Sequence, residues 1–129
     1  MAESIQTGRG VSYDFGPNVA RGMVRANSNF FRHHLVDELL QKVRIPATGE
    51  SILQILERGG VKVTDVGCGC GASTVAMVRR FPKSYFYAYE SSAQCLQILR
   101  ERAADLPNIE TSLFLFSVTG ELLPPWNPE

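Results

Sequence analysis

The sequence predicts an α/β fold with about three parallel strands and flanking helices. Two observations support this prediction: strand-like apolar segments alternate with helical patterns after residue 60, and a glycine-rich turn joins the first strand to the next helix. Such alternation is typical of a parallel sheet built from right-handed crossovers. At 129 residues, 44% of them hydrophobic, the chain is long enough for one small domain with a core.

The N-terminal third is predicted to be a lead-in followed by a helix. Residues 1–17 are Gly-rich and aperiodic, which indicates a flexible or ligand-covering segment. From Asn27 the apolar residues recur every three or four positions. They define one face of a helix that ends at Pro46, and its members are Phe30, Phe31, Leu35, Leu39, Leu40 and Val43.

A second, short helix is predicted directly before the first strand. Ser51 or Thr48 can cap its start, and Gly59-Gly60 ends it, as glycine commonly does at a helix C-terminus. The first strand then runs from about Val61 to Val66. The order helix, strand, glycine-rich turn therefore leads into the alternating part of the chain.

The remaining elements follow the same alternation. After a helix from about Ala72 to Phe81 comes an aromatic strand that ends on Glu90, then a helix capped by Ser91 or Ser92. A third strand is predicted from Ile109 to Val118, before a proline-rich tail. We therefore divide the chain into a lead-in with N-terminal helices, an α/β half-domain and a tail, over residues 1–44, 45–118 and 119–129.

The glycine-rich turn, residues 65–71, has the composition of a nucleotide-binding loop. Gly67 and Gly69 can adopt backbone angles that a side chain forbids, and they leave the backbone open to a ligand. Gly71 allows the next helix to start close to the strand. Glu90, nineteen residues after Gly71, is placed to accept both hydroxyl hydrogens of a ribose. The turn and this acid together predict a site for an adenosine-containing cofactor.

Two classes of cofactor compete for this site. Gly67, Gly69 and Ala72 also satisfy the Gly-x-Gly-x-x-Ala pattern of dinucleotide sites, although that pattern alone is weak. Asp65 would repel a pyrophosphate, whereas S-adenosylmethionine carries an ammonium and a sulfonium that a carboxylate favours. The sequence thus favours S-adenosyl-L-methionine over a nicotinamide dinucleotide, with Ser91 bordering the adenine.

Residues 65–71 together with Glu90 resemble the first two motifs of class I S-adenosylmethionine-dependent methyltransferases. The likeness continues into residues 56–60, 72–74 and 81–82, and it is similar to a subgroup with an N-terminal winged-helix segment. Residues 8–13 resemble the lead-in that helps to close the cofactor site in that subgroup. The cofactor-binding residues implied are Tyr13, Asp65, Gly67, Cys68, Gly69, Gly71, Glu90 and Ser91, with Cys68 contributing its backbone.

The resemblance implies a Rossmann-like three-layer α/β/α methyltransferase fold, of which this chain holds an incomplete part that stops after the third strand. It implies methyl transfer by in-line displacement, to an acceptor (a small molecule or a protein) that the sequence does not identify. No general base is indicated. A non-catalytic, truncated cofactor-binding fragment is the alternative, and an NAD-dependent oxidoreductase is a weaker one. The first strand would lack a neighbour, so self-association through an exposed sheet edge is expected.

Charge and cysteine content narrow the remaining classes. Thirteen basic and thirteen acidic residues cancel, which disfavours a nucleic-acid partner. The N-terminus lacks the pattern of a signal peptide and no apolar run is long enough to span a membrane, so we expect no membrane partner. Three cysteines form neither a disulfide framework nor a four-ligand metal set, and we expect a cytoplasmic protein without a metal.

Overall fold

The structure is a computed structural model that describes residues 6–8, 17–116 and 122–123. Its helices and strands alternate through the α/β part of the chain, as the sequence predicts. In chain order the helices are α1 (Pro17–Phe30), a π-helix (Phe31–Leu39), α2 (Leu40–Lys42), α3 (Ile52–Arg58), α4 (Ala72–Arg80) and α5 (Ala93–Arg102). The strands are β1 (Lys62–Val66), β2 (Tyr85–Glu90), β3 (Ile109–Leu113), β4 (Leu115–Phe116) and β5 (Leu122–Leu123).

The central sheet is parallel and has the strand order β1-β2-β3. Val63 pairs with Phe86, and Phe86 with Ile109, so the three strands are in register across the sheet. Phe86 and Ala88 are buried on the same face of β2, where Phe86 joins the cluster containing Val78 of α4. Ala88 joins the cluster that holds the buried leucines of α5. The predicted α/β fold, with three parallel strands and flanking helices, is confirmed.

The opposite face of β2 carries a row of tyrosines. Tyr85 is 37% exposed, and Tyr87 and Tyr89 are half-buried. The rings of Tyr85 and Tyr87 lie 5.2 Å apart, in a tilted arrangement. Strand alternation thus separates a face packed against α4 and α5 from an aromatic face that keeps contact with solvent.

The N-terminal helix begins earlier than predicted, at Pro17 and not at Asn27. Proline suits the first helical position, because its fixed φ is helical and an N–H there would have no intrahelical partner. The predicted apolar face is wrong in part: Phe30 is 57% exposed, Leu39 50% and Val43 46%. Leu39 lies in the π-helix, in which the Leu40 N–H donates to the carbonyl of Leu35, and the wider turn changes the angular step per residue that the apolar spacing assumes. Val43 lies beyond the helix and is extended.

The third strand is shorter than predicted. It ends at Leu113, whose partner Glu90 is the last residue of β2, so the parallel ladder has no further partner strand. The Phe114 N–H still donates to the carbonyl of Glu90 at 3.1 Å. The chain then forms β4, which pairs antiparallel with β5. The prediction of one strand from Ile109 to Val118 is therefore wrong beyond Leu113, and Val118 itself lies outside the described residues.

Both ends of α3 and the start of α5 agree with the sequence. Ser51 and Gln54 form a capping box at the start of α3, and Gly59 ends that helix with φ +79°. Ser92, the second of the two predicted caps, accepts a hydrogen bond from the Cys95 N–H at the start of α5. Over the residues that the structure describes, no helix has the length and apolarity needed to cross a membrane.

Candidate cofactor-binding site

A cavity of about 540 Å³ lies where the carboxyl ends of β1 and β2 meet. Ligands of open α/β sheets bind in this position, outside the carboxyl ends of the parallel strands. The glycine-rich turn and the end of β2 form one side of the cavity, and the N-terminal helices form another. Its lining residues from these parts are Gly67–Cys70, Glu90–Ser92, Ala20, Met23, Val24, Asn27 and Phe31.

Glu90 lies in the cavity wall, and its carboxylate joins the glycine-rich turn to the end of β2. Its Oε2 accepts a hydrogen bond from the Gly69 N–H at 2.7 Å. Its Oε1 accepts from the backbone N–H groups of Ser91 at 2.8 Å and Ser92 at 2.9 Å, and from the Ser91 hydroxyl at 3.2 Å. With 9% of the residue exposed, the charge is compensated by these donors.

The two carboxylate oxygens of Glu90 are not equally available. A carboxylate oxygen offers about two lone-pair sites, and Oε1 already receives three donors whereas Oε2 receives one. A hydroxyl group entering the cavity can therefore donate to Oε2 without breaking a hydrogen bond. A second hydroxyl at Oε1 has to displace the Ser91 side chain.

The three glycines of the turn serve two different purposes. Gly67 and Gly69 have φ of +77° and +56°, and a Cβ built on either would meet no atom within 4 Å. Both line the cavity, so the space beside them is open to a ligand. Gly71, with φ +72°, would place a Cβ in collision with the Leu99 side chain of α5. Gly71 therefore permits close helix packing, while the first two leave room at the backbone.

Asp65 lies beside the cavity and not in its wall. Its Oδ2 accepts a hydrogen bond from the Thr74 hydroxyl at 2.7 Å and a longer one from the Ser73 hydroxyl at 3.5 Å. Asp65 lines a separate, smaller cavity of about 280 Å³. Ser73 borders both cavities, so the carboxylate reaches the larger cavity through this hydroxyl. Tyr13, the predicted ligand contact of the lead-in, lies outside the described residues.

Cys68 and Cys70 are buried thiols of the turn. Burial raises the pKa of Cys68 to about 12, and the carboxylates of Asp65 and Glu90 act in the same direction. Burial also raises the pKa of Cys70 to about 12, with a contribution from its hydrogen bond with Cys95. Both thiols are therefore neutral at physiological pH.

Sequence reasoning missed the apolar side of the cavity and the anchors of the turn. Met23 and Phe31 line the cavity from the N-terminal helices, and Phe114 lines it after β3. The Arg102 guanidinium of α5 donates to the Cys70 carbonyl at 2.6 Å and so holds the turn from behind. An earlier helix start at Pro17 would have placed Met23 on a helix; the contact of Arg102 has no local sequence signal.

No protein-family model matches the chain. A curated protein, trans-aconitate 2-methyltransferase of Afipia carboxidovorans, is 36% identical over 52 residues, which are 40% of this chain and 20% of that protein. A solved structure, coclaurine N-methyltransferase bound to N-methylheliamine and SAH, shares 17% identity with a TM-score of 0.39. The match covers 87% of this chain and 40% of that one. This chain thus spans less than half of either protein, and the curated match agrees with the resemblance to methyltransferases that the sequence predicts.

Proposed function

We propose that this chain binds S-adenosyl-L-methionine and forms the cofactor-binding part of a class I methyltransferase. The observation that carries the proposal is the Glu90 carboxylate, held at the end of β2 against a turn whose Gly67 and Gly69 leave open space. A buried acid that faces bare backbone across one cavity suits a ribose joined to a compact, phosphate-free group.

The residues present fit this cofactor. Oε2 of Glu90 has room to accept one ribose hydroxyl, and the Ser91 hydroxyl can rotate away from Oε1 to admit a second. Met23 and Phe31 supply an apolar wall that suits a flat purine ring. When bound, S-adenosylmethionine supplies an electrophilic methyl group on a sulfonium, a good leaving group. The chain's own residues bind the cofactor, orient it and exclude water.

The charge of the cavity wall favours this cofactor over a dinucleotide. Over the described residues, the lining of the cavity includes Glu90 and no lysine or arginine. A pyrophosphate there would find no basic partner among these residues, whereas S-adenosylmethionine has no phosphate and needs none. Asp65 adds negative charge behind Ser73, so it supports the same preference without lining the cavity.

The reaction itself is a further part of the proposal. The similarity to trans-aconitate 2-methyltransferase supports methyl transfer, over a stretch that is a fifth of that protein. The acceptor is a small molecule or a protein, with no nucleic acid and no membrane, and the compartment is the cytoplasm. The chain's neutral net charge supports the first exclusion. The second candidate is a cofactor-binding fragment without activity, and it is supported by the parallel sheet, which has three strands over the described residues.

Titration calorimetry with three ligands tests the proposal. We expect S-adenosylmethionine and S-adenosylhomocysteine to bind at least about tenfold more tightly than NAD, which corresponds to about 1.4 kcal/mol. The matched control for a substitution of Glu90 is Glu110→Gln, which removes an exposed carboxylate from β3 and leaves Glu90 in place. Tighter binding of NAD would overturn the proposal. Binding of S-adenosylmethionine without transfer to a panel of acceptors would favour the inactive fragment.

A further inference from the structure

Two of the three cysteines meet in the wall of the cavity. The Sγ atoms of Cys70 and Cys95 lie 2.9 Å apart, although the residues are 25 positions apart in sequence. Cys70 belongs to the glycine-rich turn and Cys95 to the first turn of α5, and both are free thiols. A disulfide bond is roughly 2.0 Å long, so the sulfur atoms need to approach by only about 1 Å to be joined.

We propose that Cys70 and Cys95 are a reversible oxidation site, at which a peroxide converts the thiol pair into a disulfide. The inference is independent of which ligand fills the cavity. The disulfide would join two segments that the fold already holds together. The methyl-transfer proposal does not use this pair of thiols.

The two thiols differ in accessibility, and this assigns their order of reaction. Cys95 is half-buried, whereas Cys70 is 8% exposed. Cys95 is therefore the thiol that meets the oxidant first. Burial, which raises the pKa of Cys70 to about 12, makes Cys70 the second, resolving thiol. The positive charge of Arg102 opposes that shift and stabilises the thiolate as it forms.

The chemistry balances with hydrogen peroxide as the oxidant. The Cys95 thiolate attacks one peroxide oxygen, the O–O bond breaks, and the leaving hydroxide takes up the thiol proton to form water. The Cys70 sulfur then attacks the sulfur of the Cys95 sulfenic acid. The S–O bond breaks, and hydroxide departs with the Cys70 proton as a second water. Two thiols are oxidised to one disulfide while one peroxide is reduced to two waters.

Neighbouring contacts hold both sulfur atoms in position. Arg102 fixes the Cys70 carbonyl at 2.6 Å, and the Ser92 hydroxyl accepts from the Cys95 N–H at 3.3 Å. Ala20 and Ile98 are buried in a cluster with Cys70, and Cys95 packs against that cluster. Because the backbone on both sides is anchored, the disulfide forms by small side-chain movements and links the turn to α5. Proximity of this kind favours the intramolecular bond over mixed disulfides.

Cys68 is the internal control for this inference. It lies in the same turn and is 7% exposed, and its Sγ donates to the Gly69 carbonyl at 3.7 Å. It thus shares the burial of Cys70 and the raised pKa, but the pairing partner differs. A reaction that depended on burial or local sequence alone would treat Cys68 and Cys70 alike.

Mass spectrometry after peroxide treatment tests the inference. Protein is exposed to a modest excess of hydrogen peroxide, alkylated and digested without reduction. We expect the intact mass to fall by two hydrogen atoms, one thiol to remain open to alkylation, and the peptides containing Cys70 and Cys95 to be linked. Dithiothreitol should restore all three thiols. Cys68→Ser should still lose the two hydrogens, whereas Cys70→Ser and Cys95→Ser should not.

The wild-type peptide map keeps the inference falsifiable even if a serine variant fails to fold. A link from Cys68 to either other cysteine, three alkylated thiols after treatment, or further oxidation of Cys95 without a link would each overturn it. Cofactor titration of the reduced protein is a separate measurement. The disulfide test therefore gives an answer even if the proposed methyltransferase function is wrong.

Discussion

The Glu90 carboxylate accepts the Gly69 N–H at 2.7 Å, and this hydrogen bond ties the end of β2 to the glycine-rich turn that follows β1. The same side chain therefore shapes the turn before any ligand arrives and faces the cavity that a ligand would enter. Because Glu90 has both roles, replacing it should lower the stability of the fold as well as the affinity for a ligand.

Replacing this carboxylate with an amide separates charge from shape. In Glu90→Gln one oxygen becomes an NH₂ group, which cannot accept from Gly69 or from the N–H groups of Ser91 and Ser92. We expect a loss of about 1–3 kcal/mol in the free energy of unfolding, measured by urea titration, and at least about tenfold weaker binding of S-adenosylhomocysteine. Glu110→Gln, on an exposed position, should change neither value.

The glycines of the turn should separate into packing and binding positions. Gly71→Ala places a Cβ against Leu99 at positive φ, so we expect a loss of about 2–4 kcal/mol in unfolding free energy. Gly69→Ala meets no neighbouring atom and should cost about 1–2 kcal/mol from its φ alone. In titration calorimetry with S-adenosylhomocysteine, Gly69→Ala should lose more affinity than Gly71→Ala for each kcal/mol of unfolding free energy that is lost. Equal stability losses would contradict this division.

How much of the fold and of the candidate site the sequence could predict depends on how far apart in the chain the interacting residues lie. The turn, its strand and Glu90 follow from local patterns, because a parallel sheet brings successive strand ends to the same edge. The π-helix after Phe30 changes which side chains face inward, and apolar spacing assumes a constant helical step. The end of β3 at Leu113 is set by the length of β2. The Cys70–Cys95 contact depends on how α5 packs, which spacing along the chain does not reveal.

Asp65 and Thr74 should be energetically coupled. The Thr74 hydroxyl, on a residue 1% exposed, donates to Oδ2 of Asp65 at 2.7 Å and so connects β1 to the first turn of α4. We expect Thr74→Val to lower the unfolding free energy by about 1–3 kcal/mol, since it leaves a half-buried carboxylate without this donor. A double-mutant cycle with Asp65→Asn should give a coupling energy of about 1 kcal/mol. Strictly additive losses would mean that the contact is not formed.

Alkaline pH should destabilise the fold through the buried thiol of Cys68. Burial, with the carboxylates of Asp65 and Glu90, raises its pKa from 9.0 to about 12, so the folded chain holds a proton that the unfolded chain releases. The resulting stability is fully present below pH 9 and is lost as the pH rises towards 12. We measure the free energy of unfolding by urea titration between pH 8 and roughly 10.5. Over this range Cys68→Ala should lose about 1 kcal/mol less of this free energy than the wild type, after allowance for solvent screening. Identical pH profiles would contradict the assignment.

Strand β1 offers an edge for self-association. Over the described residues its ladder runs to β2 alone, and Val66 near its end is 62% exposed. Unpaired backbone groups beside an exposed apolar side chain favour pairing with another strand, and charged side chains oppose it. We therefore expect analytical ultracentrifugation to show concentration-dependent association that Val66→Lys weakens. Lys62→Ala, which removes an existing charge from the same strand, should strengthen it. A monomer at all concentrations in the wild type and in Lys62→Ala would show that this edge does not pair.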